Sequence, residues 1–146
     1  MLIDTHAHLN MPEYHDLDDV LKRAKEAGCE AIIDVGFDLA SSERSIGLSS
    51  SITNIYSSVG IHPHDAAALT DDNLKKLRGL ALKPKVVAIG ETGLDYYRNL
   101  SPKEAQGEAF RKHISLAQEF NLPLIVHARD SYDDTLRILH EEGKGK

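Results

Sequence analysis

His6 and His8 flank a single alanine. In an extended segment residues two apart point the same way, so these two imidazoles can grip one metal ion together; two loop histidines making ordinary hydrogen bonds would show the same spacing. Glu91 adds weight because it follows the apolar run Val87-Ala88-Ile89-Gly90. A carboxylate directly after a buried strand is costly unless it is paired, hydrogen-bonded or metal-bound. His127 stands in the same relation to Leu124-Ile125-Val126. A lone histidine at a strand end is more often structural than a ligand, but His, His, Glu and His from three separate strand ends argue against coincidence. Imidazole and carboxylate donors without thiolate suit Mg, Mn or Zn. The single cysteine, Cys29, excludes a thiolate zinc site and an intramolecular disulfide, and fits a reducing compartment.

The elements that must position these groups follow from the hydrophobic pattern. Apolar runs at 2–4, 31–35, 55–59, 86–89 and 124–126 are short and bounded by turn signals, which predicts strands. Between them lie helical patterns. Leu17, Val20, Leu21, Ala24 and Ala27 recur at helical spacing up to Gly28, a weaker serine-containing stretch covers 39–48, and Leu74, Leu77, Leu80 and Ala81 share a face over 71–81. Ser101, Pro102 and Glu104 predict a capping box opening a helix that runs to Phe120, with Phe110, Ile114 and Ala117 as its buried stripe. Asn121 and Pro123 end it, a last helix starts near Asp130, and the tail 141–146 is expected to fray. Strands alternating with helices predict an α/β fold with a parallel sheet. An open doubly wound sheet spreads its strand ends along a line, whereas a barrel gathers them around one mouth. The chemistry at the ends of the first, third, fourth and fifth strands therefore favours a partial (β/α) TIM-type barrel of about five βα units.

With 146 residues, 41% of them hydrophobic and 27% charged, the chain is expected to be a single domain with a real core. Its formal net charge of −6 excludes an extended basic groove for duplex but leaves a small metal-supported site for an acidic substrate. No apolar run approaches the roughly 20 residues of a membrane span, and the N-terminus lacks a basic region followed by an apolar one, so a cytoplasmic protein is expected.

The segments Asp4-Thr5-His6-Ala7-His8-Leu9, Ser58-Val59-Gly60-Ile61-His62-Pro63-His64, Gly90-Glu91-Thr92-Gly93-Leu94-Asp95-Tyr96-Tyr97 and Leu122-Pro123-Leu124-Ile125-Val126-His127-Ala128-Arg129 resemble, in order, the signatures of the TatD family of metal-dependent deoxyribonucleases, within the amidohydrolase-like barrels. The resemblance covers essentially the whole chain. It implies a site for two divalent ions, with His6 and His8 on one, Glu91 bridging, and His127 on the second. It also implies that the chain corresponds to the N-terminal portion of a (β/α)8 barrel. Family members continue with three more strand-plus-helix units that supply a further histidine and an aspartate to the metals. Strands one and five of such a portion are open edges, and self-association through them is expected.

The mechanism implied is metal-assisted phosphodiester hydrolysis of DNA, exonucleolytic at single-stranded ends, with Glu91 as the central catalytic carboxylate. Divalent ions lower the pKa of a bound water and neutralise phosphate charge. His62, by the resemblance and by its place after strand three, contacts substrate; its plainer role is a loop histidine ordered by Pro63. Arg129 suits a phosphate clamp, because a guanidinium pairs bidentately with phosphate oxygens, or else a salt bridge to Asp130 or Asp133. His64, Asp65 and Asp95 are candidates for orienting the ligands. Tyr96 and Tyr97 are positioned to stack a base or to pack as buried aromatics. Two other readings use the same residues: an amide or ester hydrolase acting on a carbonyl, and an inactive barrel fragment that self-associates.

Overall fold

The computed structural model describes residues 2–13 and 15–143. Strands β1 (Leu2–Ala7), β2 (Cys29–Val35), β3 (Ile55–Val59), β4 (Val86–Asp95) and β5 (Leu124–Arg129) alternate with helices α1 (Leu17–Glu26), α2 (Leu39–Ser51), α3 (Asp71–Ala81), α4 (Lys103–Phe120) and α5 (Tyr132–Glu142). All neighbouring strands are parallel and the sheet order is β1-β2-β3-β4-β5. Consecutive order leaves no point at which the winding reverses, so this is a curled half-barrel and not a doubly wound sheet. Every strand delivers its C-terminal end to the same rim.

The strands that carry the chemistry run further than their apolar cores. Residues 5–7 extend β1, residues 90–95 extend β4 and residues 127–129 extend β5. Glu91 and His127, expected just beyond strand ends, thus lie inside paired strands. The ladder between β4 and β5 continues through Thr92↔Val126 and Asp95↔Arg129, and this pairing overrides Gly90 as a stop signal. Between Ile89 and Thr92 β4 holds one more residue than β5 does between Leu124 and Val126, a bulge that re-aims Glu91. The bulge sits on the neighbouring strand exit. A Cβ on Gly60 would lie 2.6 Å from the Gly90 carbonyl carbon, so that contact requires glycine.

Val59, Leu77, Ile89 and Leu116 centre the main core between the sheet, α3 and α4, and Leu94, Phe110, Ile114 and Ile138 form a second cluster beneath α5. Helix α1 packs its partly buried stripe, Leu17, Val20, Leu21 and Ala24, against Leu9, Ile32 and Ile55. Helix α2 reads weakly in sequence because its buried face is serine: Ser41, Ser42, Ser45 and Ser49 are fully buried. Small hydroxyls let the helix approach the sheet closely and find local partners, Ser45 Oγ donating to the Asp34 carbonyl at 2.7 Å and Ser57 Oγ to Ser49 Oγ at 2.8 Å.

The expected capping box on α4 does not form. Pro102 is the cap residue and Ser101 turns away, donating to the His64 carbonyl at 2.7 Å and accepting from the Ala67 N–H at 3.3 Å. It ties the start of α4 to the 3-10 turn Pro63–Ala68 that follows β3. The expected stop at Asn121 is present, in left-handed conformation. Glu141 and Glu142 are not frayed; they end α5 and pair with Arg111. Residues 144–146 of that expected tail lie outside the described residues. The edges are β1 and β5, and β1 leaves Leu2 and Ile3 more than half exposed.

Candidate metal centre

The three strands bring the predicted donors together around Glu91. Its Oε2 lies 3.4 Å from His6 Nε2 and 3.7 Å from His8 Nε2, while its Oε1 lies 3.1 Å from His127 Nδ1 and 3.9 Å from His62 Nε2. The carboxylate therefore faces two different donor groups with its two oxygens. In each group, His6–His8–Glu91 and His62–Glu91–His127, the donor atoms lie within 4.8 Å of one another. Glu91 is only 8% exposed, so its ionised form depends largely on these partners. The set of nitrogen and carboxylate donors is compatible with divalent metal binding.

What surrounds the donors fixes their protonation. His8 Nδ1 is 2.9 Å from the Val35 carbonyl, which places its proton there and leaves the Nε2 lone pair facing Glu91. The same carbonyl accepts from Asn10 Nδ2 at 2.9 Å, and Asn10 is pinned through its N–H and its Nδ2 to buried Asp34 Oδ1 at 3.1 and 2.9 Å. His127 stands between two carboxylates, its Nε2 3.1 Å from Asp95 Oδ2. A proton held there by Asp95 leaves Nδ1 directed at Glu91 Oε1, 3.1 Å away, and at His62 Nε2, 3.2 Å away. Asp95 also takes His64 Nε2 at 2.9 Å and the Arg98 N–H at 2.8 Å. His62 differs from the others. The His64 N–H donates to its Nδ1 at 3.2 Å, so the proton of neutral His62 sits on Nε2, the atom facing the centre.

The charges follow. Burial pushes the Asp95 carboxyl up, but hydrogen bonds from the Arg98 N–H, His64 and His127 outweigh it and hold the group at about 2. Burial likewise works against ionised Glu91, and the His127 hydrogen bond with the surrounding imidazoles holds it below the usual carboxylate range. The Glu91 hydrogen bond, opposed by burial and helped by Asp95, raises His127. Burial dominates at His62 and lowers it to about 4, despite Glu91. The cluster is thus two ionised carboxylates among imidazoles, with His62 neutral.

Of the other residues singled out in the sequence, Asp65 is exposed and lines the open cavity of about 300 Å³ beside His8, Met11, Phe37, His62, His64 and Glu91. It makes no side-chain hydrogen bond to a candidate ligand among the described residues. Arg129 pairs with neither Asp130 nor Asp133 among the described residues; its Cζ lies 3.9 Å over the Tyr97 ring. Sequence reasoning passed over Asn10, Asp34, Gln106 and His113. Gln106 and His113 are fully buried polar residues inside the apolar stripe of α4. Gln106 brackets the backbone of Asp95, its Oε1 accepting from the N–H at 2.8 Å and its Nε2 donating to the carbonyl at 3.2 Å. His113 Nε2 accepts from the Ile61 N–H at 3.0 Å, next to His62. A polar residue on a buried stripe was the signal available for both.

Comparison with known proteins places these features in a family. The family model described as TatD related DNase matches residues 3–146. An uncharacterized metal-dependent hydrolase, YabD of Bacillus subtilis, is 47% identical over 144 residues, covering 98% of this chain and 56% of the relative. A 3'-5' ssDNA/RNA exonuclease TatD of Cronobacter turicensis is 38% identical over 125 residues, covering 86% of this chain and 48% of the relative. The solved structure of YJJV, a TatD homolog from Escherichia coli, superposes with a TM-score of 0.89 at 29% identity, covering 97% of this chain and 56% of the other. That of a hydrolase TatD family protein from Entamoeba histolytica gives 0.87 at 33%, covering 97% and 54%. The chain spans about half the length of the curated relatives it matches. Its donor constellation, its half-barrel and its matched length together establish that this chain belongs to the TatD related DNase family.

Proposed function

We propose that the chain forms the N-terminal, metal-binding portion of a TatD-type barrel and hydrolyses phosphodiester bonds of nucleic acid at single-stranded ends. The observation that carries this reading is the placement of Glu91, whose Oε2 faces His6 and His8 while its Oε1 faces His127. His6 and His8 would hold one divalent ion, His127 a second, and Glu91 both, with Mg, Mn or Zn compatible with the donors. Bound there, such ions supply an activated water and neutralise phosphate charge. The chain's own residues do the rest. Glu91 fixes the spacing of the two donor groups. Asp95, bracketed by Gln106 and supported by His64, holds the His127 proton on Nε2. His62 presents its Nε2–H toward the centre, which suits a donor to a substrate phosphate oxygen better than a ligand. Arg129 lies two residues beyond His127 on β5, where its N–H edge can take a phosphate.

A cytoplasmic setting fits the free thiol of Cys29. Among the described residues no helix is long and apolar enough to cross a membrane. The test is release of nucleotides from an end-labelled single strand by the purified chain with Mg or Mn, beside a simple ester and a cyclic amide. Metal-dependent release from the strand is expected. Metal binding without release from DNA or RNA, or turnover of the carbonyl substrates alone, would overturn the reading for this chain.

Self-association belongs to the same proposal. Leu2 and Ile3, 59% and 57% exposed, lie on edge strand β1, an arrangement that favours pairing with another chain. Sedimentation at tens of micromolar is expected to show species larger than the monomer, and a sharp monomer boundary would count against it.

A further inference from the structure

Two adjacent tyrosines follow β4, and the fold uses them differently. Tyr96 is packed: its hydroxyl donates to Asp134 Oδ2 at 2.9 Å, and Lys103 Nζ covers its ring at 4.0 Å. Tyr97 is 62% exposed, and among the described residues its only ring contact of this kind is the Arg129 guanidinium, with Cζ 3.9 Å over the ring. Arg129 is itself exposed and has no carboxylate partner among the described residues. Asp95, its register partner on β4, is occupied by His64, His127 and the Arg98 N–H. A flat guanidinium stacked by one face on an aromatic ring keeps its other face and its N–H edge available.

The position of this pair gives it meaning. Arg129 lies two residues beyond His127 on β5 and so points to the same side of the sheet. The step between them is about 7 Å along the strand, comparable to the repeat of an extended nucleotide chain. A phosphodiester held at Glu91 and His127 would place an adjoining nucleotide beside Arg129. Every nucleobase offers a π-face, and stacking on aromatic rings or guanidinium planes is how proteins hold single strands without reading sequence.

We propose that Tyr97 and Arg129 form a stacking platform for a nucleobase next to the scissile position, so that the site selects single-stranded nucleic acid over base-free phosphodiesters. The stacked guanidinium supplies the surface, Tyr97 fixes its plane, and the free N–H edge takes the neighbouring phosphate. Recognition is base-tolerant, because nothing in the pair reads hydrogen-bonding edges. This inference rests on the nuclease reading above.

The test is fluorescence-anisotropy binding, with Mg or Mn present, of a short phosphorothioate-linked oligothymidylate and of a strand of equal length carrying abasic positions. The base-bearing strand is expected to bind about tenfold more tightly. Tyr97→Ala should bring that ratio close to one, whereas Tyr97→Phe, which keeps the ring, should preserve it. Arg129→Lys, which keeps the charge and loses the plane, should also collapse the ratio. Equal binding of the two strands by the unsubstituted chain, or an unchanged ratio in Tyr97→Ala, overturns the platform while leaving the nuclease reading in place. If neither strand binds with metal present, the nuclease reading fails and takes the platform with it. Tyr97 is largely exposed, so its removal leaves the core intact, and Tyr97→Phe controls for the loop.

Discussion

Glu91→Gln is expected to lower the affinity of the centre for Mn by at least about a hundredfold and to abolish any metal-dependent hydrolysis. Losing a residue that merely orients a ligand already costs about ten- to a hundredfold, and among the described residues Glu91 is the one side chain common to both donor groups. The substitution removes the negative charge and turns one carboxylate oxygen into an amide nitrogen, which has no lone pair to give. Whichever way the amide sits, one side is lost, the Oε2 side toward His6 and His8 or the Oε1 side toward His127. The loss of metal affinity is separable from the loss of stability. Without metal, Glu91 is a buried carboxylate held below the usual range by the His127 hydrogen bond and the surrounding imidazoles against the cost of burial, so the amide should also cost the empty chain some stability. Titration calorimetry with Mn, beside thermal unfolding in chelator, separates the two. An affinity within a few-fold of the unsubstituted chain would remove Glu91 from the centre.

The legible parts of the site were those written as residue type plus strand position. His6, His8, Glu91 and His127 could be read because each follows an apolar run, and consecutive parallel strands put such positions on one rim. The division of labour within the cluster could not. That Glu91 turns its two oxygens to different neighbours depends on a bulge between Ile89 and Thr92, an event of pairing between β4 and β5 that has no local signature beyond Gly90. The same pairing carried β4 through to Asp95, where a glycine had suggested an end. Ser101 shows the opposite error. Its capping pattern with Glu104 was locally sound, but the 3-10 turn after β3 offered its hydroxyl both a donor and an acceptor, and tertiary contacts outweighed the local motif. The serines of α2 were weak as a helical stripe for the reason that they work as one: a small polar face is buried wherever the sheet lies close enough to satisfy it.

His113→Gln is expected to flatten the acid side of the stability profile. The imidazole is fully buried, and burial lowers its pKa to about 4 from an ordinary value of 6.5, although the bond to the Ala109 carbonyl works the other way. Below pH 6.5 the unfolded chain binds a proton that the folded chain refuses, so stability falls with pH until the folded group also titrates near pH 4. The window spans about 2.5 pH units, which corresponds to about 3 kcal/mol. Urea unfolding of both chains at pH 7 and at pH 4 should show that much less loss in the glutamine variant; equal losses would mean that His113 is not the proton-linked group. The cost has a structural address. His113 accepts the Ile61 N–H at Nε2 and donates from Nδ1 to Ala109, so protonating Nε2 sets one donor against another. Ile61 leads into His62; this bond from α4 holds its backbone N–H, and its side chain belongs to the core cluster that includes Ala109 and Leu116. Acid should therefore loosen the exit of β3, and with it the Nε2–H that His62 presents to Glu91 and His127, before the sheet itself gives way.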